Sequence, residues 1–240
     1  MSIKAVLFDL DGTLLPMDLN VFLESYFSLL AKRLAPYGYE AKSLVKTIWQ
    51  CTGAMINNDG SATNEEVFWN SFTSVYGERA KDSLPYFEAF YEEDFDKAQA
   101  VCGFDPCAAE AVQLVRSLGL RAVLATSPLY PAIATKKRAS WAGLDPDDFE
   151  LITTYENSRH TKPNPEYYRD IVASLDLSPD ECLMVGNDVE EDMIAEAVGM
   201  KVFLLTDCLI NKHGKDPSVY PNGGLAELLE YLNKIRKGVE

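Results

Sequence analysis

Histidine is nearly missing from this chain. His160 and His213 are the only two in 240 residues, which excludes a histidine-rich metal centre. Cysteine is scarce and unpatterned: the five, at positions 51, 102, 107, 182 and 208, are odd in number and form no CxxC pair. The sequence therefore predicts neither a disulfide framework nor a zinc site. Basic side chains are outnumbered, 22 Lys and Arg against 37 Asp and Glu, for a net charge of −15. Such a chain lacks the clustered cations that a nucleic-acid backbone requires, so nonspecific DNA or RNA binding is excluded. No apolar run approaches the roughly 20 residues of a membrane span. The short run at the N-terminus meets Asp9 and Asp11 where a signal peptide would have small residues. These absences predict a protein of the reducing cytoplasm, with neither membrane nor nucleic acid as partner.

What is present is globular. The chain is 47% apolar, 11% aromatic and 25% charged, long enough for one large domain or two modest ones. Residues 3–8 read as a buried strand. From about 15 to 100 the chain is helical in pattern, with segments 18–35, 40–56, 63–76 and 82–98 carrying apolar residues at helical spacing, as at Phe22, Tyr26, Leu29 and Leu30. Beyond Asp105 helix and strand alternate. Helices are expected at 106–118, from Pro131, and at 164–175, 189–198 and 224–237; strands are expected at 120–125, 149–153, 181–185 and 201–205. Short connections between such elements imply a parallel sheet covered on both faces. The first strand must join that sheet, so the helical stretch is an insertion, with linkers near Leu14–Asp18 and Val101–Asp105.

Ligands of open α/β sheets collect at the carboxyl ends of the strands. The first strand ends in Asp9-Leu10-Asp11-Gly12-Thr13 and the second in Thr126-Ser127-Pro128. A loop after the third holds Thr161-Lys162-Pro163. The fourth ends in Gly186-Asn187-Asp188, with Glu190, Glu191 and Asp192 beyond. Singly, each has a plain reading: a polar turn, a helix cap, a solvated lysine, a first helical turn. A calcium loop does not fit, because Gly12 falls fourth rather than sixth and Asn20 stands where a glutamate is needed. Jointly, the order and placement favour a site. Crowded carboxylates repel unless they share a cation, and oxygen-only ligands favour a hard ion such as Mg2+.

In these motifs the chain resembles the phosphatases of the haloacid dehalogenase superfamily, in the subgroup whose helical cap follows the first strand. All four family motifs occur in order: the DxDGT box at Asp9–Thr13, the strand ending in Thr126, the Lys162-Pro163 pair, and the acidic segment Gly186-Asn187-Asp188…Asp192. The resemblance implies a Rossmann-like α/β core with helices on both faces of a parallel sheet, formed by residues 1–15 and 101–240. Residues 16–100 would be the helical-bundle cap. It further implies a Mg2+-dependent phosphatase of small phosphorylated metabolites, as a monomer or weak homodimer.

In that chemistry Asp9 is the nucleophile that becomes an aspartyl-phosphate. Asp11 is the general acid and base, and its backbone carbonyl joins Asp9 and Asp188 on the metal. Gly12 permits close approach to the phosphoryl group. Thr13, Thr126, Ser127 and Lys162 hold phosphoryl oxygens or offset their charge. Many relatives place an acid directly after the motif's glycine, where this chain has Asn187. Asp188 is therefore assigned the metal contact, and Asp192 the task of orienting Lys162 or a metal-bound water, with the amide oxygen of Asn187 as an alternative donor.

Asp11 disfavours a dehalogenase, which lacks an acid there, and the absence of histidine before position 160 disfavours a phosphomutase. A phosphonate hydrolase would need a cap lysine such as Lys32, Lys42 or Lys46, and a non-catalytic binding module would have lost the motif residues. In the cap, Lys32, Arg33, Lys42 and Lys46 read as a solvated face. The segment Cys51–Ala62 reads equally as a specificity loop or a plain turn. Trp49, Trp69 and Trp141 read as core, and Tyr130 as a residue lining the site.

Overall fold

The computed structural model describes residues 2–236. Six strands, β1 (Ala5–Phe8), β2 (Arg121–Leu124), β3 (Leu151–Ile152), β4 (Cys182–Gly186), β5 (Lys201–Leu205) and β6 (Asn222–Gly223), form one parallel sheet in the order β3-β2-β1-β4-β5-β6. Every residue of β1 is buried, as expected for a central parallel strand covered on both faces. Its alternation divides the interior. Val6 and Phe8 point into a core shared with α5 (Pro106–Ser117) and α8 (Leu225–Arg236), whereas Ala5 and Leu7 pack with α7 (Pro165–Ser174). Register sets the site as well: Phe8 lies beside Leu124 on one side and Val185 on the other. The next residues of three neighbouring strands therefore emerge together.

Between β1 and β2 lie α1 (Leu19–Leu34), α2 (Ala41–Ile56), α3 (Asn64–Tyr76) and α4 (Leu84–Glu93), with 3-10 turns at Gly77–Ser83 and Phe95–Val101. Local chemistry starts them. The Asp18 carboxylate accepts the first amides of α1, and Thr63 with Glu66 closes a capping box on α3. Phe22, Phe72, Phe90 and Phe95 are fully buried in their common interior. The two linkers run side by side: Met17 pairs with Cys102, and Gly103 N donates to Pro16 O at 2.7 Å.

A second tie joins the helices to the sheet. Asn64, wholly buried, donates its backbone N–H to Ser158 O (2.8 Å) and its amide to Pro128 O (3.2 Å), while Asn58 donates to Asn64 Oδ1 (2.8 Å).

The pattern differs from expectation in three places. The segment expected as one helix at 82–98 is α4 followed by a 3-10 turn. The helix expected at 189–198 is a 3-10 stretch at Met193–Val198, ended by Gly199 in the left-handed region. Asp188 is still bridged to Ile210 beside the sheet and Val189 N donates to Ile210 O at 2.9 Å, so only a single turn, closed by Asp192 N on Asp188 O and by the Asp188 carboxylate on the amides of Glu190 and Glu191, precedes the 3-10 stretch. The two-residue β6 carries too few side chains to give a periodic signal.

Candidate active site

Beyond β1 the chain turns back on itself. Asp9 N still donates to Val185 O (2.9 Å), and Leu15 N returns to Leu10 O (2.8 Å). Gly12 makes this possible at φ +81°, and a Cβ there would lie 2.4 Å from Asn187 Nδ2. A side chain at this position is thus excluded by both conformation and space. The turn leaves the Asp9 carboxylate between two donors. Lys162 Nζ reaches Oδ1 at 2.8 Å, and Thr13 Oγ1 lies 3.1 Å from Oδ2. Lys162 also donates to Asp192 Oδ1 at 2.6 Å, and Asp192 Oδ2 accepts the Asp188 amide at 3.0 Å. Burial opposes charge on Lys162, but Asp192 and Asp9 beside it outweigh that and raise its pKa well above the ordinary lysine value. Burial likewise raises the Asp192 carboxyl, against the pull of Lys162.

Gly186 is the reason Asp192 can sit there, since a Cβ on Gly186 would fall 2.1 Å from its Oδ2.

Asp11 stands apart from this network. Its Oδ2 accepts from Nη1 of Arg138 on α6 (Ala132–Trp141), while its Oδ1 is buried without a hydrogen-bond partner among the described residues. Burial raises its pKa above the usual aspartate value, and Arg138 pulls the other way. The Arg138 guanidinium is fully buried and lies 4.3 Å from the centre of the Tyr130 ring, a desolvated cation–π contact.

One cavity of about 750 Å3 gathers Asp9, Asp11, Thr126, Ser127, Lys162, Asn187, Asp188 and Asp192 at its floor. Gly12 and Thr13 do not line it: they act from behind, the first shaping the turn and the second bridging Asp9 to Asn187 Oδ1 at 2.9 Å. Asn187 is engaged at both ends, since its Nδ2 donates to Cys208 O at 2.7 Å. Thr126 is placed by its carbonyl, which accepts from Thr153 Oγ1 (2.7 Å) and Tyr167 Oη (2.9 Å).

The roof comes from the inserted helices. Trp49, 49% exposed, lines it and is not the core residue expected; Trp69 lines it too while packing against the core as expected. Both stand on helix faces turned to the cavity, which apolar spacing alone does not distinguish from a face turned to a core. Thr52 and Ile56 of α2 also line the cavity, whereas the turn 57–62 does not. Tyr130 lines it as expected. Lys32, Lys42 and Lys46 are exposed and off the wall.

Sequence reasoning missed Arg138. Its signal was an arginine at helical spacing from Ala134 and Ala142, on an otherwise apolar stripe.

Among the described residues no three metal-ligating side chains of His, Cys, Asp or Glu converge on one point. The floor nonetheless suits a hard cation. The acids there offer only oxygens, and with Asp11 paired to Arg138, the carboxylates of Asp9, Asp188, Glu191 and Asp192 share one buried cation among the described residues, Lys162. Lys212, mostly exposed, comes no nearer than 3.9 Å to Asp188. Two carboxylates with a backbone carbonyl fit Mg2+, which keeps several waters and needs few protein ligands.

A family model for haloacid dehalogenase-like hydrolases matches residues 3–199. The pyrophosphatase PpaX of Bacillus velezensis is 22% identical over 199 residues, spanning 83% of this chain and 81% of its own. Among solved structures, a predicted phosphoglycolate phosphatase from Haemophilus somnus superposes with TM-score 0.58 at 17% identity, covering 96% of this chain and 98% of its own. CbbY from Rhodobacter sphaeroides, in complex with phosphate, gives 0.60 at 16% identity, covering 97% and 100%.

Proposed function

The chain belongs to the haloacid dehalogenase-like hydrolases, and from that premise we propose that it is a Mg2+-dependent phosphatase of small phosphate monoesters. The observation that carries this reading is the placement of Asp9. Its carboxylate sits at the floor of the cavity, held by Lys162 and Thr13, with a second carboxyl, Asp11, on the same floor and bound to a different partner. Two acids in separate environments serve two roles.

The Asp9 carboxylate attacks phosphorus, and the bond between phosphorus and the ester oxygen breaks. Asp11 gives its proton to the departing oxygen through Oδ1, the oxygen that Arg138 leaves free. In the second half Asp11 takes a proton from water, which attacks the aspartyl-phosphate, releases phosphate and restores Asp9. Lys162 and the Thr126 and Ser127 hydroxyls hold the phosphoryl oxygens as charge shifts onto them. Asp9, Asp188 and the Asp11 carbonyl would hold Mg2+, which when bound offsets the charge of two anions approaching each other. Asp192 keeps Lys162 aimed at Asp9.

Residues 16–100 act as the cap, and its docking through Asn64 excludes bulk water during the first step. The off-wall placement of Lys32, Lys42 and Lys46 disfavours Schiff-base phosphonate chemistry. We place the enzyme in the cytoplasm, as a monomer or weak homodimer; no helix among the described residues is long and apolar enough to cross a membrane.

The test is phosphate release from a panel of phosphorylated metabolites, with Mg2+ or with EDTA, beside Asp9→Asn. Release that needs the metal and disappears in the variant is expected. Release that persists in Asp9→Asn overturns the nucleophile.

A further inference from the structure

Above the catalytic floor the cavity wall is apolar and rich in rings. Tyr26, Phe68, Trp69, Phe87, Tyr91 and Tyr155 line it, with aliphatic side chains such as Leu23 and Ile48 between them, and the charged side chains that the described cap residues add are acids: Glu65, Glu88 and Glu92. The two lysines of the cavity, Lys162 and Lys212, belong to the floor, where Lys162 contacts Asp9 and Lys212 stands nearest Asp188. Among the described residues no cation of the cap faces the part of a substrate that lies beyond its phosphoryl group.

Glu65 is the most informative of the acids. It stands on α3 with Phe68 and Trp69 three and four residues on, so the three share one helix face, and all three line the cavity. Its backbone amide is fixed to Tyr155 O at 2.8 Å, seating the first turn of α3 against the buried Tyr155 ring. Its carboxylate forms no ion pair or hydrogen bond among the described residues. The neighbouring Glu156 is spoken for, because both of its oxygens accept the Ala132 amide at the start of α6. Burial, with Glu156 and Glu66 nearby, raises the Glu65 pKa above the ordinary glutamate value. An unpaired carboxylate among aromatic rings is a seat for a cation, which the ring faces attract as well.

We propose that the alcohol released by this enzyme is aromatic, carries an amine cation that pairs with Glu65, and bears no second anionic group. This rests on the phosphatase reading above. It separates the chain from enzymes whose leaving group is itself anionic: a second phosphate or a carboxylate reaching the cap would meet acids and ring faces, and the described residues of the cavity offer it only Lys212, down at the floor beside Asp188.

The test uses the full chain with Mg2+ and three esters of matched phenols, differing only in the para substituent: tyramine phosphate, 4-ethylphenyl phosphate and 4-(carboxymethyl)phenyl phosphate. Pyrophosphate and 2-phosphoglycolate complete the set. We expect kcat/KM to fall in the order amine, neutral, carboxylate, with about tenfold between the first two, the scale of a desolvated cation–π and ion-pair contact. The two small anions should be poorer still. Glu65→Gln should narrow the ratio of amine to neutral ester, and Glu65→Lys should reverse the ratio of amine to carboxylate.

Efficient turnover of pyrophosphate or of the carboxylate ester overturns the proposal while leaving the phosphatase reading intact. So does a ratio that Glu65→Gln leaves unmoved in folded protein. Absence of turnover on every ester by folded, Mg2+-supplied protein overturns the phosphatase reading and this proposal with it.

Discussion

Arg138 and Asp11, 127 residues apart in sequence, form an ion pair whose arginine side is wholly buried. The pair binds one oxygen of Asp11 and leaves the other without a partner. Arg138 is therefore a positioning residue, and its loss should act through Asp11. Breaking a buried pair by removing one partner costs about 3–5 kcal/mol of stability, so Arg138→Ala should lower the denaturation midpoint markedly. Arg138→Lys keeps the charge but not the planar fork, and should recover part of it. The distinguishing readout is kinetic: kcat should drop most for esters with poor leaving groups, which depend on an oriented acid, with KM little changed. Equal losses for good and poor leaving groups would reduce Arg138 to a purely structural part.

Asp9 and Asp11 should fail differently. Asp9→Asn removes the atom that forms the covalent bond and should leave neither turnover nor phosphorylated protein. Asp11→Asn still has the nucleophile but no base for the water step. With 4-nitrophenyl phosphate, whose leaving group needs little protonation, it should accumulate phosphoenzyme, seen as added phosphate in the intact mass. Removal of general acid–base help typically costs about 10²–10⁴-fold in rate, and the steady-state rate should fall on that scale. Phosphoenzyme in Asp9→Asn would place the nucleophile elsewhere.

The smallest substitution with a large expected effect is Gly186→Ala. The added methyl would stand 2.1 Å from Asp192 Oδ2, so the carboxylate must move, taking with it its bonds to Lys162 and to the Asp188 amide. Forcing one methyl into a packed site commonly costs about 1–3 kcal/mol. Activity should fall more than stability does, because the displaced group holds Lys162 on Asp9. Melting temperature and kcat measured on the same preparation separate the two; a variant with native kcat would show that Asp192 can retreat without consequence.

The floor of the site was legible from sequence and its roof was not. Asp9, Thr126 and Asp188 each follow a short apolar strand, and parallel register carries such positions to one edge whatever the helices do; Lys162, in the loop between β3 and α7, was legible from its motif rather than from register. Arg138 escaped notice because it lies mid-helix, where the sequence shows only a charged residue among alanines; that it turns inward depends on Asp11 arriving from β1. Trp49 was read as core for a related reason. Helical spacing reports that a face is covered, not whether protein or a ligand covers it. The expected helix at 189–198 is shorter because Asp188 and Val189 pair with Ile210 beside the sheet and Asp192 holds Lys162, tertiary demands that outweigh helix propensity.

Glu65 makes substrate preference depend on pH, in a direction the structure fixes. Pairing with an amine requires the carboxylate ionised, so the preference for tyramine phosphate over 4-ethylphenyl phosphate should be complete above the Glu65 pKa and fade as pH falls through it. Burial places that pKa above the ordinary glutamate value, so the loss should begin at higher pH than a solvated glutamate would give. The amine stays protonated throughout, as it titrates near the lysine range, about 10. The phosphoryl groups of the two esters titrate alike and cancel in the ratio. The Glu65 part of the ratio of kcat/KM against pH is read by difference, because Glu88 and Glu92 line the same cavity, and in Glu65→Gln the curve should be flatter than in the wild type. A wild-type ratio that holds constant down to the solvated-glutamate range, about pH 4.3, would remove Glu65 from contact with the substrate.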